Sequence, residues 1–122
     1  MQSLNSNNAP AAIGPYSHGY ATDNLIFTSG QLGVDPKTGE LKTGIEAQTE
    51  QAILNLIEVL KVANVGIGKV VKTTCFLAEI ADFAKFNEVY SKYFISKPAR
   101  SCFSVKDLPK GALCEIEAIA EI

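Results

Sequence analysis

Apolar residues along the chain recur with two periods, and the changes of period mark out the elements. Ile45, Ala52, Ile53, Leu56, Ile57, Leu60 and Ala63 lie on one helical stripe, with Glu46, Glu50, Glu58 and Lys61 on the opposite face. Thr43-Gly44-Ile45-Glu46 reads as a capping box at the start of this helix, and Asn64 and Gly66 read as its stop. A second stripe of Phe83, Phe86, Val89, Tyr90, Tyr93 and Phe94 predicts another helix, capped by Asp82 and ended before Pro98. The remaining runs have period two or are rich in β-branched and aromatic residues. Tyr16 to Ala21 and Leu25 to Leu32 predict a hairpin around Thr22-Asp23-Asn24, and Val70 to Ile80 predicts a further strand. Ala99 to Lys106 and Ala112 to Ile122 flank the turn cluster Asp107-Leu108-Pro109-Lys110-Gly111, so they are expected to pair as an antiparallel hairpin.

The resulting order, β-β-α-β-α-β-β, predicts an α+β fold in one domain spanning residues 1–122. Both helices are one-sided and are expected on the same face of a mixed sheet. In the last strand Ala112, Cys114, Ile116, Ala118, Ala120 and Ile122 alternate toward the helices. Leu113, Glu115, Glu117, Ile119 and Glu121 point to the other face. That open face mixes carboxylates with apolar side chains, which predicts contact with another subunit and a closed homo-oligomer.

Charge and cysteine usage narrow the function classes. Eleven basic residues against 13 acidic ones give a net charge of −2, without the basic cluster of a nucleic-acid-binding domain. The three cysteines, Cys75, Cys102 and Cys114, form no CxxC pair or Cys/His cluster, so no metal site is expected and free thiols in a reducing compartment are. The polar stretch Met1 to Pro10 lacks the pattern of a secretory leader, and no apolar run approaches the length of a membrane span. A cytoplasmic protein without membrane or nucleic-acid partners is the expectation. No Walker motif, GxGxxG before a helix or HExxH occurs.

Arg100 and Cys102 share one face of their strand. An odd-sum register with the last strand would place Glu115 and Glu117 beside them, and an even-sum register would place those residues on the opposite face. An arginine fork can hold a carboxylate through two parallel bonds, and a nearby carboxylate can serve as general base. A structural ion pair between Arg100 and Glu115 is an equally valid reading of these residue types. Tyr16, after Gly14-Pro15, can offer a phenol to a ligand or be a half-buried aromatic. Ser29-Gly30 interrupts a strand, marking a bend or a close backbone approach. Asn87 is a polar residue within the aromatic stripe. His18, the sole histidine, reads as a core or solvent-facing residue. Cys102 lacks a base that would make it a nucleophile.

Several tracts together resemble the Rid family, also called YjgF. They are Asn8-Ala9-Pro10-Ala11-Ala12-Ile13-Gly14-Pro15-Tyr16-Ser17, Phe27-Thr28-Ser29-Gly30-Gln31-Leu32, Asp35-Pro36-Lys37-Thr38-Gly39, Val71-Lys72-Thr73-Thr74, Pro98-Ala99-Arg100-Ser101-Cys102 and Glu115-Ile116-Glu117-Ala118-Ile119-Ala120. The resemblance spans essentially the whole chain. It implies a chorismate-mutase-like fold and a homotrimer with sites between subunits. It also implies cofactor-free hydrolysis of 2-imino acids, such as 2-iminobutanoate and 2-iminopropanoate, to 2-keto acids and ammonia. On the matching positions, Arg100 would hold the substrate carboxylate, Glu115 would position or activate water, and Tyr16 would contact the ligand. Ser29, Gly30 and Cys102 would line the pocket, Gly30 and Cys102 partly through backbone amides, with Asn87 at its side. A non-catalytic keto-acid-binding module and a ribonuclease or translation inhibitor, a label the family often carries, are the alternatives.

Overall fold

The computed structural model describes residues 1–122. Seven strands form one mixed sheet: β1 (Gln2–Leu4), β2 (Gly19–Ala21), β3 (Leu25–Thr28), β4 (Gln31–Leu32), β5 (Val70–Leu77), β6 (Ala99–Ser104) and β7 (Cys114–Glu121). Helices α1 (Ile45–Lys61) and α2 (Phe83–Tyr93) cover one face. The strand order is β1-β2-β3-β7-β5-β6, with β4 pairing β7 beyond the end of β3. The α+β class and the two one-sided helices therefore stand as predicted.

The core lies between the helices and the sheet. Ala52, Ile53, Leu56, Val59 and Leu60 of α1 are fully buried, against Ile26, Cys75, Leu77, Ile116 and Ala120 of the sheet. Each large aliphatic side chain in this layer contributes roughly 1.5–3 kcal/mol by leaving water. The alternation in β7 is as predicted: Cys114, Ile116, Ala118 and Ala120 are buried, while Glu115, Glu117, Ile119 and Glu121 lie on the open face. Ile122 lies beyond the strand end and is exposed, not directed at the helices.

The helix ends differ in how well the sequence anticipated them. Asn64 stops α1 as expected: it adopts φ +59°, its N–H bonds Lys61 O at 2.9 Å, and the next N–H, of Val65, bonds Leu60 O at 3.2 Å. The capping box expected at Thr43–Glu46 does not form. Gly44 takes the N-cap position of α1 at φ +89°, a conformation that excludes most side chains, and Thr43 lies outside it. Asp82 does occupy the N-cap position of α2, but its side chain makes no cap bond.

Two sheet features depart from the expected hairpins. The run from Leu25 to Leu32 is broken at Ser29-Gly30. Between the pairs Phe27–Ile119 and Gln31–Ile116, the first strand advances four residues and β7 only three. That extra residue is a bulge, and it inverts the facing of everything after it: Phe27 lies on the open face but Gln31 on the helix face. Thr28 repairs the ladder by accepting a hydrogen bond from the Ala118 N–H at 3.0 Å.

The second departure bears directly on function. β6 and β7 are not hairpin partners, because β5 lies between them, parallel to β6 and antiparallel to β7. Arg100 is opposite Thr73, and Thr73 is opposite Ala118; Cys102, Cys75 and Ile116 form the next such row. Arg100 and Cys102 therefore lie on the helix face, and Glu115 and Glu117 on the open one. No β6–β7 register exists; the opposite facing arises through β5, and the expected shared face of Arg100 and Glu115 is corrected.

Candidate functional site

The chain carries two clusters of the candidate residues. The first surrounds Arg100 at the sheet edge formed by β6. Its guanidinium donates from Nη1 to Asn87 Oδ1 at 2.7 Å and lies over the Tyr90 ring at 4.7 Å and the Phe83 ring at 5.6 Å. Phe83, Asn87 and Tyr90 are four and three residues apart, so one face of α2 supplies all three contacts. The Tyr90 hydroxyl pairs with Thr73 Oγ1 at 2.7 Å, which fixes the ring under the cation. Burial pushes the Tyr90 phenol above its ordinary pKa, against the Thr73 hydrogen bond and Arg100. Arg100 has no carboxylate partner: the chain's ion pairs are Lys42–Asp35 and Lys61–Glu58. The structural ion pair with Glu115 is thereby excluded. One of the five guanidinium N–H groups is spent on Asn87, and the remaining fork suits an external anion.

The second cluster lies on the other side of the sheet, around the bulge. Tyr16, Ser29, Gly30 and Glu115 line one depression together with Ile13 and Pro109. Ser29 Oγ donates to Ser17 O at 2.6 Å, and the Ser29 N–H to His18 O at 2.8 Å, tying the bulge to the segment that carries Tyr16. Of the readings open for Gly30, close approach is correct, and the approaching group is the Glu115 side chain. A Cβ on Gly30 would lie 2.7 Å from Glu115 Cδ and 2.9 Å from its Cγ. The half-buried Glu115 carboxyl is raised above the ordinary carboxylate range, first by burial and second by Glu117. A raised carboxylate is a stronger base, better matched to proton transfer near neutrality. Tyr16 is partly exposed, and its hydroxyl accepts from the Ile13 N–H at 3.3 Å.

His18 is buried, as one of its expected readings held. Its Nδ1 accepts from the Ser6 N–H at 3.0 Å and its Nε2 has no partner, which makes the neutral Nε2–H form the one that fits. Cys102 is half-buried on the helix face, two residues from Arg100, and all three cysteines are free. No group of three or more histidine, cysteine, aspartate or glutamate residues could hold a metal ion, and no helix is long and apolar enough to cross a membrane.

Sequence reasoning gave the aromatics of α2 only as a helical stripe and missed that Tyr90 and Phe83 carry Arg100. The signal was available in the spacing that puts Asn87 between them. It also missed Ile13 and Pro109 as walls of the Glu115 depression, which no periodicity marks.

An arginine presented without a counter-ion on one face and a half-buried carboxylate packed on a glycine bulge on the other define the class: an α+β sheet protein with two separate polar half-sites. Comparison with known proteins names the family. A family model described as Endoribonuclease L-PSP matches residues 6–122, and the chain belongs to this family, the Rid or YjgF proteins. The human 2-iminobutanoate/2-iminopropanoate deaminase is 48% identical over 114 residues, covering 92% of this chain and 83% of that protein. The presumed regulator AldR of Lactococcus lactis is 47% identical over 124 residues, covering 100% of this chain and 98% of that protein. The crystal structure of RidA from an Antarctic Psychrobacter matches with a TM-score of 0.97 at 40% identity, each chain covered to 100%.

Proposed function

We propose that this chain hydrolyses 2-imino acids to 2-keto acids and ammonia, at sites assembled between copies of itself in a closed ring, a homotrimer by family resemblance. Arg100 grips the substrate carboxylate from one subunit, with Asn87 and Tyr90 holding the guanidinium in place. The neighbouring subunit supplies Glu115, packed on Gly30, with Tyr16 and Ser29 lining the same depression. Cys102 lies beside the grip, two residues from Arg100.

The observation that carries this reading is the unpaired Arg100. Its support is complete within the chain and its charge is unanswered there. The two half-sites face opposite sides of one sheet, an arrangement that supports completion of the site by a second copy. Tyr20, Phe27 and Phe103 are each more than two-fifths exposed on the open face, apolar surface that an assembly would cover. Relatives of the chain carry the deaminase name.

The chemistry asks little of the protein. A protonated imine is already electrophilic at C2. Glu115 takes a proton from water as its oxygen bonds that carbon. The proton passes from Glu115 to nitrogen in the tetrahedral adduct, the C–N bond breaks and ammonia leaves, and the adduct's hydroxyl gives its proton back to the Glu115 carboxylate as the carbonyl forms. Orientation contributes on the order of 7 kcal/mol in well-held systems. General base help adds about two to four powers of ten in rate.

The decisive assay generates 2-iminobutanoate with a threonine dehydratase in the presence of semicarbazide and follows 2-ketobutanoate release. Acceleration by this protein that is lost in Arg100→Ala supports hydrolysis. No acceleration by the wild-type chain leaves binding without catalysis, the reading suggested by the AldR relative. A ribonuclease reading, suggested by the family model's description, meets a net charge of −2 and a sole histidine whose Nδ1 is committed to Ser6.

A further inference from the structure

Cys102 on β6 and Cys75 on β5 are direct partners across parallel strands. Neighbouring strands lie about 4.8 Å apart, and paired residues project to the same face. That spacing falls inside the roughly 4.4–6.8 Å separation of Cα atoms that a disulfide spans. Both thiols are free, and their surroundings differ in kind. Cys102 is half-buried, on an edge strand with one neighbour, two residues from the Arg100 cation. Cys75 is fully buried beneath α2, where its thiol donates to Thr73 Oγ1 at 3.8 Å. The third cysteine, Cys114 on β7, is opposite Leu77 of β5, fully buried and engaged with Thr49 Oγ1 at 3.6 Å.

We infer that Cys102 and Cys75 are a dithiol modification site, with Cys102 the sulfur that peroxide oxidises and Cys75 the thiol that closes an intrachain disulfide. The Cys102 thiolate attacks one oxygen of hydrogen peroxide; the O–O bond breaks, hydroxide leaves, and Cys102 becomes a sulfenic acid, oxidised by two electrons. Cys75 then gives up its proton and bonds the Cys102 sulfur; the S–O bond breaks and the oxygen departs as water. Two thiols and one peroxide thus become one disulfide and two waters. The division of labour matches the local electrostatics. The neighbouring Cys75 thiol, and behind it Arg100, favours the Cys102 thiolate and draws Cys102 below its ordinary range against the opposing effect of burial. Cys75 itself is pushed well above the ordinary thiol range, so it enters only as the second partner. The site depends on the packing of β5 against β6 and not on the imine reading, so its test reads thiols and masses.

The experiment exposes the full chain to stoichiometric hydrogen peroxide and maps it by tryptic digestion without reductant. Cleavage after Lys72, Lys85, Arg100, Lys106 and Lys110 separates the three cysteines onto different peptides. The expected result is loss of two of the three free thiols and of two hydrogen masses. The Cys75 and Cys102 peptides should be joined, and a thiol reductant should reverse the change. In Cys75→Val, dimedone should instead tag Cys102 as the trapped sulfenic acid, and Cys114→Ala should retain the link. A bond to Cys114, a bond between chains, or a Cys102 that stays alkylatable after peroxide would overturn the assignment. So would dimedone labelling of wild-type Cys102 equal to that in Cys75→Val. Should Cys75→Val not fold, the wild-type peptide map decides alone.

Discussion

Mixing two inactive variants tests the divided site directly. Within one chain, Arg100 on β6 and Glu115 on β7 are two strand spacings apart and on opposite faces. The lateral separation alone is about 10 Å, too far for a four-carbon acid held through its carboxylate to meet water on Glu115. Arg100→Ala removes the grip and Glu115→Gln removes the base. Each homogeneous assembly is expected to lose about two powers of ten or more in kcat/KM, the usual worth of a positioned general base. When the two are unfolded together and refolded, chains assort at random around the ring. A site needs an intact Arg100 from one subunit and an intact Glu115 from its neighbour, each present with a chance of about one half, so about one quarter of wild-type activity should return. A site contained within one chain would restore nothing, because every chain carries a lesion. The assay is keto-acid release after co-refolding, with mixed assemblies verified by native mass spectrometry. Mixed assemblies no more active than the sum of the parents would refute the reasoning.

Three further perturbations follow from single contacts. Gly30→Ala puts a methyl group where the Glu115 carboxyl packs, so kcat should fall at least tenfold while affinity for a 2-keto acid, measured calorimetrically, changes little; an unchanged kcat would show that Glu115 needs no such seat. Burial raises the Glu115 carboxyl above its ordinary 4.5, so just above that pH the folded chain holds more protons than the unfolded one, and stability should fall as pH rises through the folded pKa. Denaturation midpoints should show that slope in the wild type and a flatter one in Glu115→Gln; parallel slopes would contradict it. Asn55 is buried and its Nδ2 donates to Leu32 O at 3.0 Å and Val34 O at 2.9 Å, so Asn55→Leu, which strands both carbonyls, should cost about 3 kcal/mol in urea unfolding. A loss under 1 kcal/mol would mean that other donors reach them, on the order of magnitude expected for such groups.

What the sequence made legible was whatever a local period or a local stop signal encodes. The stripes of α1 and α2, the alternation of β7 and the left-handed Asn64 all read correctly because each depends on residues a few positions apart. Thr43 misled because Gly44, at φ +89°, takes the N-cap position itself, whereas Asp82 marked the N-cap position of α2 correctly but makes no side-chain cap bond. β1 is three residues long and pairs through Gln2, Ser3 and Leu4 with β2, too short to carry a period. The Ser29-Gly30 bulge reversed the facing of β4 through a single added residue. The pairing of β6 failed for a topological reason. Sequence proximity favoured a β6–β7 hairpin, yet the strand-helix-strand run β5-α2-β6 is itself the pattern of parallel neighbours. Taking that run as the unit puts β6 beside β5 and leaves β7 to the other side of β5.

That topology also says what assembly must contribute. A one-residue slip of β6 against β5 would turn Arg100 to the face of Glu115, but it would take the guanidinium away from Tyr90 and Asn87 and expose Cys102 with it. The register is therefore held by the same contacts that hold the grip, and no rearrangement within the chain can complete the site cheaply. Each half is already ordered by its own chain, Arg100 by α2 and Glu115 by the glycine bulge. Under the proposed assembly, the second copy supplies proximity and excludes water, and it need not reshape either half. Such an assembly would place a cation and a base against one small substrate without burying them as a pair. A buried ion pair between Arg100 and Glu115 would neutralise the cation that the proposed reading assigns to the substrate carboxylate.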